Sequence, residues 1–111
     1  MYRSYEKGNV VVIIPQGELD VTNSTNFKNA ISSEFIDKGK VNIVLDMSGV
    51  SYMDSSALGT IISLYKSCRM NGGSFAIAGL VDSVRRLFAI TALDKVVPIF
   101  DTVDDAIKRM R

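Results

Sequence analysis

Val41-Asn42-Ile43-Val44-Leu45-Asp46-Met47, the later run Ser55-Ser56-Ala57-Leu58-Gly59-Thr60-Ile61-Ile62-Ser63-Leu64-Tyr65-Lys66-Ser67-Cys68-Arg69-Met70, and then Ser74-Phe75-Ala76-Ile77-Ala78-Gly79 decide the fold. The first run is rich in Val, Ile and Leu, a composition that fits a central strand covered on both faces. In the second, Leu58, Ile61, Ile62, Tyr65 and Cys68 recur at spacings of three and four, the period of a helix with one apolar stripe. Its other face carries Ser56, Thr60, Ser63 and Ser67, and lacks the long charged side chains that usually solvate an exposed helix. Asn71-Gly72-Gly73 supplies a stop, and the third run reads as a further strand. Strands joined through a helix are usually parallel neighbours with a right-handed crossover.

The flanking segments extend the same alternation. Toward the N-terminus, Tyr2 to Lys7 and Val10 to Pro15 read as strands around Gly8-Asn9, a pair that supplies the positive φ angles of a tight hairpin. Beyond Gly17-Glu18-Leu19-Asp20, the residues Phe27, Ala30, Ile31 and Phe35 predict a helix capped by Asp20 or Thr22 and stopped at Gly39. Toward the C-terminus, Asp82 or Ser83 is expected to cap a short helix through Val84, Leu87 and Phe88. Val96 to Phe100 gives a last strand, and Thr102-Val103-Asp104-Asp105 opens a final helix carrying Val103, Ala106, Ile107 and Met110. The expected fold is therefore α/β: one domain over residues 1–111, a mixed, mostly parallel sheet that starts with an N-terminal hairpin, and about four helices. No internal repeat, linker or low-complexity segment interrupts it.

Composition narrows the function. Hydrophobic residues make up 47% and charged residues 23% of the chain, which fits a packed domain. With a net charge of +1 and scattered Lys and Arg, the chain has no basic stripe for nucleic acid. The longest strongly apolar run, Val10 to Ile14, is far short of the ~20 residues that cross a bilayer, so no membrane insertion is expected. The first residues lack a signal-peptide pattern, and a cytoplasmic location follows as an expectation. The single cysteine, Cys68, lies on the apolar side of its helix and reads as a buried structural thiol.

The chain has no histidine, and this removes the commonest general base and the commonest metal ligand together. No zinc or calcium spacing and no phosphate loop is present, so neither a metal nor a cofactor is expected, and catalysis is the least favoured class. A binding module is favoured, with its oligomeric state open and a monomer as the working expectation. In such sheets functional loops gather beyond the carboxyl ends of the strands, where Gly17 to Asp20 and Ser48 to Asp54 fall.

Three features stand out, each with a purely structural alternative. Asp54-Ser55-Ser56 is either a phosphate-accepting switch or a capped helix start. Glu18 with Asp20 is either part of that site or an acidic helix entry. Arg85-Arg86 with Lys95 is either a docking patch or a solvated face.

Together these segments resemble the STAS domain family, and within it the bacterial anti-sigma factor antagonists. Gly17-Glu18-Leu19-Asp20 is similar to that family's Gly-Glu-Leu-Asp loop. Val44-Leu45-Asp46 followed by Met53-Asp54-Ser55-Ser56-Ala57-Leu58-Gly59 is similar to its Asp-Ser-Ser-Gly-Leu-Gly signature. Gly72-Gly73 before a strand, Val84 to Leu87, and Leu93 through Ala106 keep the family's order, so the resemblance runs nearly end to end.

The resemblance implies phosphorylation of Ser55, less readily of Ser56, by an anti-sigma factor that is an ATP-using serine kinase, and removal of the phosphate by a serine phosphatase. It also implies that the unphosphorylated form binds the kinase and frees a sigma factor. The expected partner-binding residues are Glu18, Asp20, Met53, Asp54, Ser56, Ala57, Gly59, Thr60 and Ser63, with Asp20 and Asp54 orienting the acceptor. Ala57 stands where the pattern has glycine, and its methyl group is expected to limit close approach of a partner. Two other readings compete: a STAS-like scaffold or transporter-complex module in which Ser55 or Ser56 only caps a helix, and a small-ligand or nucleotide-binding domain argued from fold analogy.

Overall fold

Alternation of apolar side chains along the central strands fixes the layers of the domain. The computed structural model describes residues 2–110; Met1 and Arg111, the two ends of the expected domain range, lie outside the described residues. In chain order the elements are β1 (Tyr2–Lys7), β2 (Val10–Pro15), β3 (Gly17–Leu19), α1 (Ser24–Glu34), β4 (Asn42–Asp46), β5 (Val50–Met53), α2 (Ser55–Met70), β6 (Ser74–Ala78), α3 (Asp82–Ile90), β7 (Ile99–Phe100) and α4 (Val103–Met110). The main sheet runs β1-β2-β4-β6-β7, with β1 antiparallel to β2 and the other pairs parallel.

Side chains alternate across this sheet, as the period of two requires. Val11, Ile13, Ile43, Leu45, Phe75 and Ile77 point into a large core with Phe27 and Ile31 of α1, Leu58, Ile61 and Leu64 of α2, and Val84 and Phe88 of α3. Val10, Val12, Val44, Ala76 and Ala78 point the other way, into a smaller core closed by Ala106 and Ile107 of α4. The central strand is thus covered on both faces, as its composition implies. Among the described residues no helix is long and apolar enough to cross a membrane.

The hairpin pairs Lys7 with Val10, and of its two turn residues only Gly8 takes a positive φ, +63°, rather than the Gly8-Asn9 pair. Segments read from sequence as loops contain two more strands: β3 and β5 form their own parallel ladder, with Glu18 opposite Tyr52 and Leu19 opposite Met53. Runs of three and four residues are too short for periodicity to reveal. The last strand is shorter than expected, because Leu93–Lys95 turn as a 3-10 helix before Val97 buries and Ile99 pairs with Ile77.

Helix ends also differ from expectation. Asn23, not Asp20 or Thr22, occupies the N-cap position of α1, and it makes no side-chain cap bond. The helix stops at Glu34, and a 3-10 turn, Ile36–Lys38, runs on to Gly39 at φ +84°. Val81 holds the cap position of α3, so neither Asp82 nor Ser83 caps it. Thr102 does serve α4, its hydroxyl accepting the Asp105 N–H at 3.1 Å. In α2, Leu64 is buried while Ile62 and Tyr65 are half-buried.

The small-residue face of α2 is a seat for α1 at its centre. Thr60 is only 8% exposed, and its hydroxyl donates to the Ser24 carbonyl of α1 at 3.3 Å. Small side chains there admit a neighbouring helix, which is why no charged side chain is needed to solvate that stripe.

Candidate functional site

The β3–β5 ladder brings the two loops singled out in the sequence to one place. Strand β3 leads into residues 20–23, strand β5 leads into Asp54 and α2, and the Asp54 N–H donates to the Leu19 carbonyl at 3.3 Å. Asp54 is the N-cap of α2 in extended conformation. Its Oδ1 accepts the Ala57 N–H at 3.0 Å, satisfying one of the donors left over at a helix start. Its Oδ2 accepts the Val21 N–H at 2.9 Å, so one carboxylate caps α2 and ties the neighbouring loop to it.

Asp20 turns its carboxylate inward along its own loop. Its Oδ1 accepts from the Thr22 hydroxyl and from the Thr22 N–H, the latter at 2.9 Å. The Thr22 hydroxyl first, then backbone donors of Thr22 and Asn23, hold the Asp20 carboxyl below the usual carboxylate range by stabilising its charged form. Glu18 is exposed, and among the described residues its carboxylate makes no hydrogen bond or ion pair.

Ser55 is the first residue of α2 and is exposed; among the described residues its hydroxyl makes no hydrogen bond. Asp54 performs the capping, so the alternative in which Ser55 or Ser56 caps the helix is corrected. Ser56, its neighbour, is half-buried. Of the expected contact residues, the structure brings Glu18, Asp20, Asp54, Ser56 and Gly59 around this helix start, with Glu18 and Gly59 exposed.

Three expected contacts are buried instead. Met53 is 4% exposed and Ala57 1%, both in the large core, and Thr60 is under α1. The α-carbon spacing of three from Ala57 to Thr60 points both inward, so the Ala57 methyl packs in the core and not on the surface. Ser63, one turn further on, is half-buried.

Sequence reasoning missed Asn23, Val21 and Tyr52. Val21 is 70% and Tyr52 51% exposed, and each lies on a segment that carries the site, one after β3 and one in β5. An aromatic and a β-branched residue inside supposed loops were the available signals. Arg85 pairs loosely with Asp101 at 3.5 Å and Arg86 is exposed, an arrangement that suits a solvated face. Among the described residues no three side chains of metal-ligating type gather. Burial pushes the Cys68 thiol up to about 11, as suits an inert core cysteine.

Comparison with known proteins adds independent findings. The STAS domain family matches residues 2–106. A protein of Thermotoga maritima provisionally named an anti-sigma factor antagonist is 37% identical over 102 residues, covering 92% of this chain and 90% of that protein. The anti-sigma-B factor antagonist of Listeria monocytogenes is 34% identical over 87 residues, covering 78% and 75% of the two chains. A crystal structure of the Thermotoga maritima protein TM1081 superimposes with a TM-score of 0.95 at 34% identity, covering 99% of this chain and 94% of that one.

Proposed function

This chain belongs to the STAS domain family, close to the bacterial anti-sigma factor antagonists, which are regulatory binding proteins and not enzymes; from that premise we propose that phosphate on Ser55 switches its hold on an anti-sigma partner. The unphosphorylated protein binds an anti-sigma factor that is also a serine kinase, and so frees a sigma factor. The phosphorylated protein lets go, and a serine phosphatase resets it. Both forms work in the cytoplasm, where ATP is available to the kinase.

One observation carries the reading: Ser55 is exposed at the start of α2, its hydroxyl without a hydrogen bond among the described residues, beside a separate residue that does the capping. Its hydroxyl is free to react because the fold does not use it. In the transfer, the Ser55 oxygen forms a bond to the γ-phosphorus of ATP and the bond to the β-γ bridging oxygen breaks. ADP leaves, and the hydroxyl proton passes to a catalytic-loop carboxylate of the kinase. Hydrolysis by the phosphatase returns the hydroxyl and releases inorganic phosphate.

The added group carries about 1.5 to 2 negative charges and joins Asp54 at the start of α2, with the Glu18 and Asp20 carboxylates on the strand and loop that hydrogen bonds tie to Asp54. No lysine or arginine forms an ion pair with those carboxylates among the described residues, so the phosphate stays outward and the partner meets it. Burying it without a matching cation costs roughly 3 kcal/mol, enough to weaken binding about a hundredfold. The contact surface in this reading comprises Glu18, Asp20, Asp54, Ser56, Gly59 and Ser63, joined by the exposed Val21 and Tyr52.

The test is capture from lysate of the native cell with Ser55→Ala and Ser55→Asp baits, followed by incubation of the recovered partner with ATP and wild-type protein. Recovery of a serine kinase by the alanine bait alone, and transfer of one phosphate to Ser55, is the expected result. Equal recovery by both baits would leave a constitutive scaffold in its place.

A further inference from the structure

Asn23 occupies the N-cap position of α1, where an asparagine side chain ordinarily accepts a backbone N–H of its own helix. It makes no such bond. Its Oδ1 accepts the Asp20 N–H at 3.0 Å and its Nδ2 donates to the Glu18 carbonyl at 2.8 Å, so the amide clamps the end of β3 from both sides. Backbone bonds from Asn23 and Ser24 to the Asp20 carbonyl, at 3.2 and 2.9 Å, close the same turn.

The clamp matters because of which carboxylate it leaves free. Asp54 is held by Ala57 and Val21, and Asp20 by Thr22. Among the described residues Glu18 alone of the three presents an unengaged side chain, and its backbone is fixed between Asn23 on one side and the pairing with Tyr52 on the other. A side-chain amide is suited to this job, since it offers a donor and an acceptor at once, and no other uncharged side chain but glutamine does so with that geometry.

We infer that Asn23 is a positioning residue for the partner contact: it holds Glu18 beside Tyr52, in the ladder that leads into the start of α2, so that the free carboxylate meets a hydrogen-bond donor of the anti-sigma partner. This rests on the reading that the partner docks at the Ser55 surface. Asn23 itself touches no partner and acts through Glu18.

A double-mutant cycle separates that role from a merely structural one. The probe is the kinase recovered with the Ser55→Ala bait, purified and titrated against wild type, Glu18→Ala, Asn23→Ala and the double variant. Glu18→Ala is expected to weaken binding about tenfold and Asn23→Ala roughly fivefold, while the double variant is no weaker than Glu18→Ala, because the clamp has nothing left to position. Losses that multiply to about fiftyfold would overturn the proposal, as would an Asn23→Ala variant that binds like wild type.

Asn23→Asp, which keeps the acceptor for Asp20 and loses the donor to Glu18, should fold and show the same coupling. In the free protein, nitrogen-proton NMR should move the Asp20 amide in Asn23→Ala and leave the Val21 amide, which Asp54 holds. If Glu18→Ala binds normally while Ser55→Asp does not, the positioning role falls and the phosphate switch stands. If Ser55→Asp binds like wild type, the switch itself falls.

Discussion

At the scale of single residues, the site divides its work between neighbours with similar chemistry. Asp54 and Ser55 are adjacent, both polar and both at a helix start, yet one is committed to the fold and the other is free of it. The distinction lies in bonds that sequence cannot display, since Asp, Ser and Thr all rank as good caps. Two carboxylate oxygens let Asp54 cap α2 and hold Val21 at once. Asp54→Ala should therefore cost about 2 kcal/mol, from a lost cap and a lost loop bond, and lower the melting temperature by roughly 10 °C in a domain of this size. Asp54→Asn, with a single carbonyl oxygen, keeps one of the two bonds and should lose about half as much. Thermal unfolding of the pair checks the ranking, and faster hydrogen exchange at the Val21 amide in Asp54→Ala would locate the damage. An alanine variant as stable as wild type would mean that the carboxylate serves only the partner.

At the scale of elements, the two glycines between α2 and β6 carry different demands under one sequence signal. Gly72 has φ +81° with open space where a side chain would start, and it serves the turn. Gly73 ends that turn where β6 passes close to β4: a Cβ there would lie 1.9 Å from the Val41 carbonyl oxygen, the acceptor of the Ser74 N–H at 3.0 Å. Gly72→Ala should cost about 1 kcal/mol, the penalty for a left-handed alanine. Gly73→Ala meets backbone that cannot yield cheaply, forces the strands apart and should cost about 3 kcal/mol or more, with lost protection of the Ser74 amide as the sign that the β4–β6 ladder has opened. Urea unfolding of both variants measures the difference, and equal losses would contradict the close approach. The same contrast explains what was legible. Gly-Gly announced a helix stop, but the clash that demands the second glycine comes from a strand thirty-odd positions earlier and leaves no local trace. Likewise Asn23 went unread beside Asp20 and Thr22 as cap candidates, because its clamp on Glu18 depends on a side chain turning back along the chain.

At the scale of the whole molecule, the large features were legible because burial on both faces makes β2, β4 and β6 near-continuous apolar runs. The hairpin was readable from Gly8-Asn9, and the crossover helices and the closing α4 from apolar side chains at helical spacing behind polar or acidic starts. The β3–β5 ladder was not, since its stability comes from what its ends are tied to and not from its own short runs. The two faces also separate duties. Helices α1, α2 and α3 share the large core with the strands that present Ser55, whereas α4 closes the opposite face over the smaller core of Val10, Val12, Val44, Ala76 and Ala78. Ile107 is 3% exposed in that smaller core, so Ile107→Ala should cost about 2–4 kcal/mol through a lost side chain and a residual cavity. A domain with ~5–15 kcal/mol of stability would still be folded at 25 °C. Because the sheet stands between α4 and the helix start, the variant should melt well below wild type yet bind the anti-sigma partner within about twofold and accept phosphate on Ser55 at the wild-type rate. Calorimetry and a phosphorylation time course at 25 °C test both halves. A folded Ile107→Ala protein that had lost its partner would show that the α4 face contributes to binding, and the site would have to be drawn across both sides of the sheet.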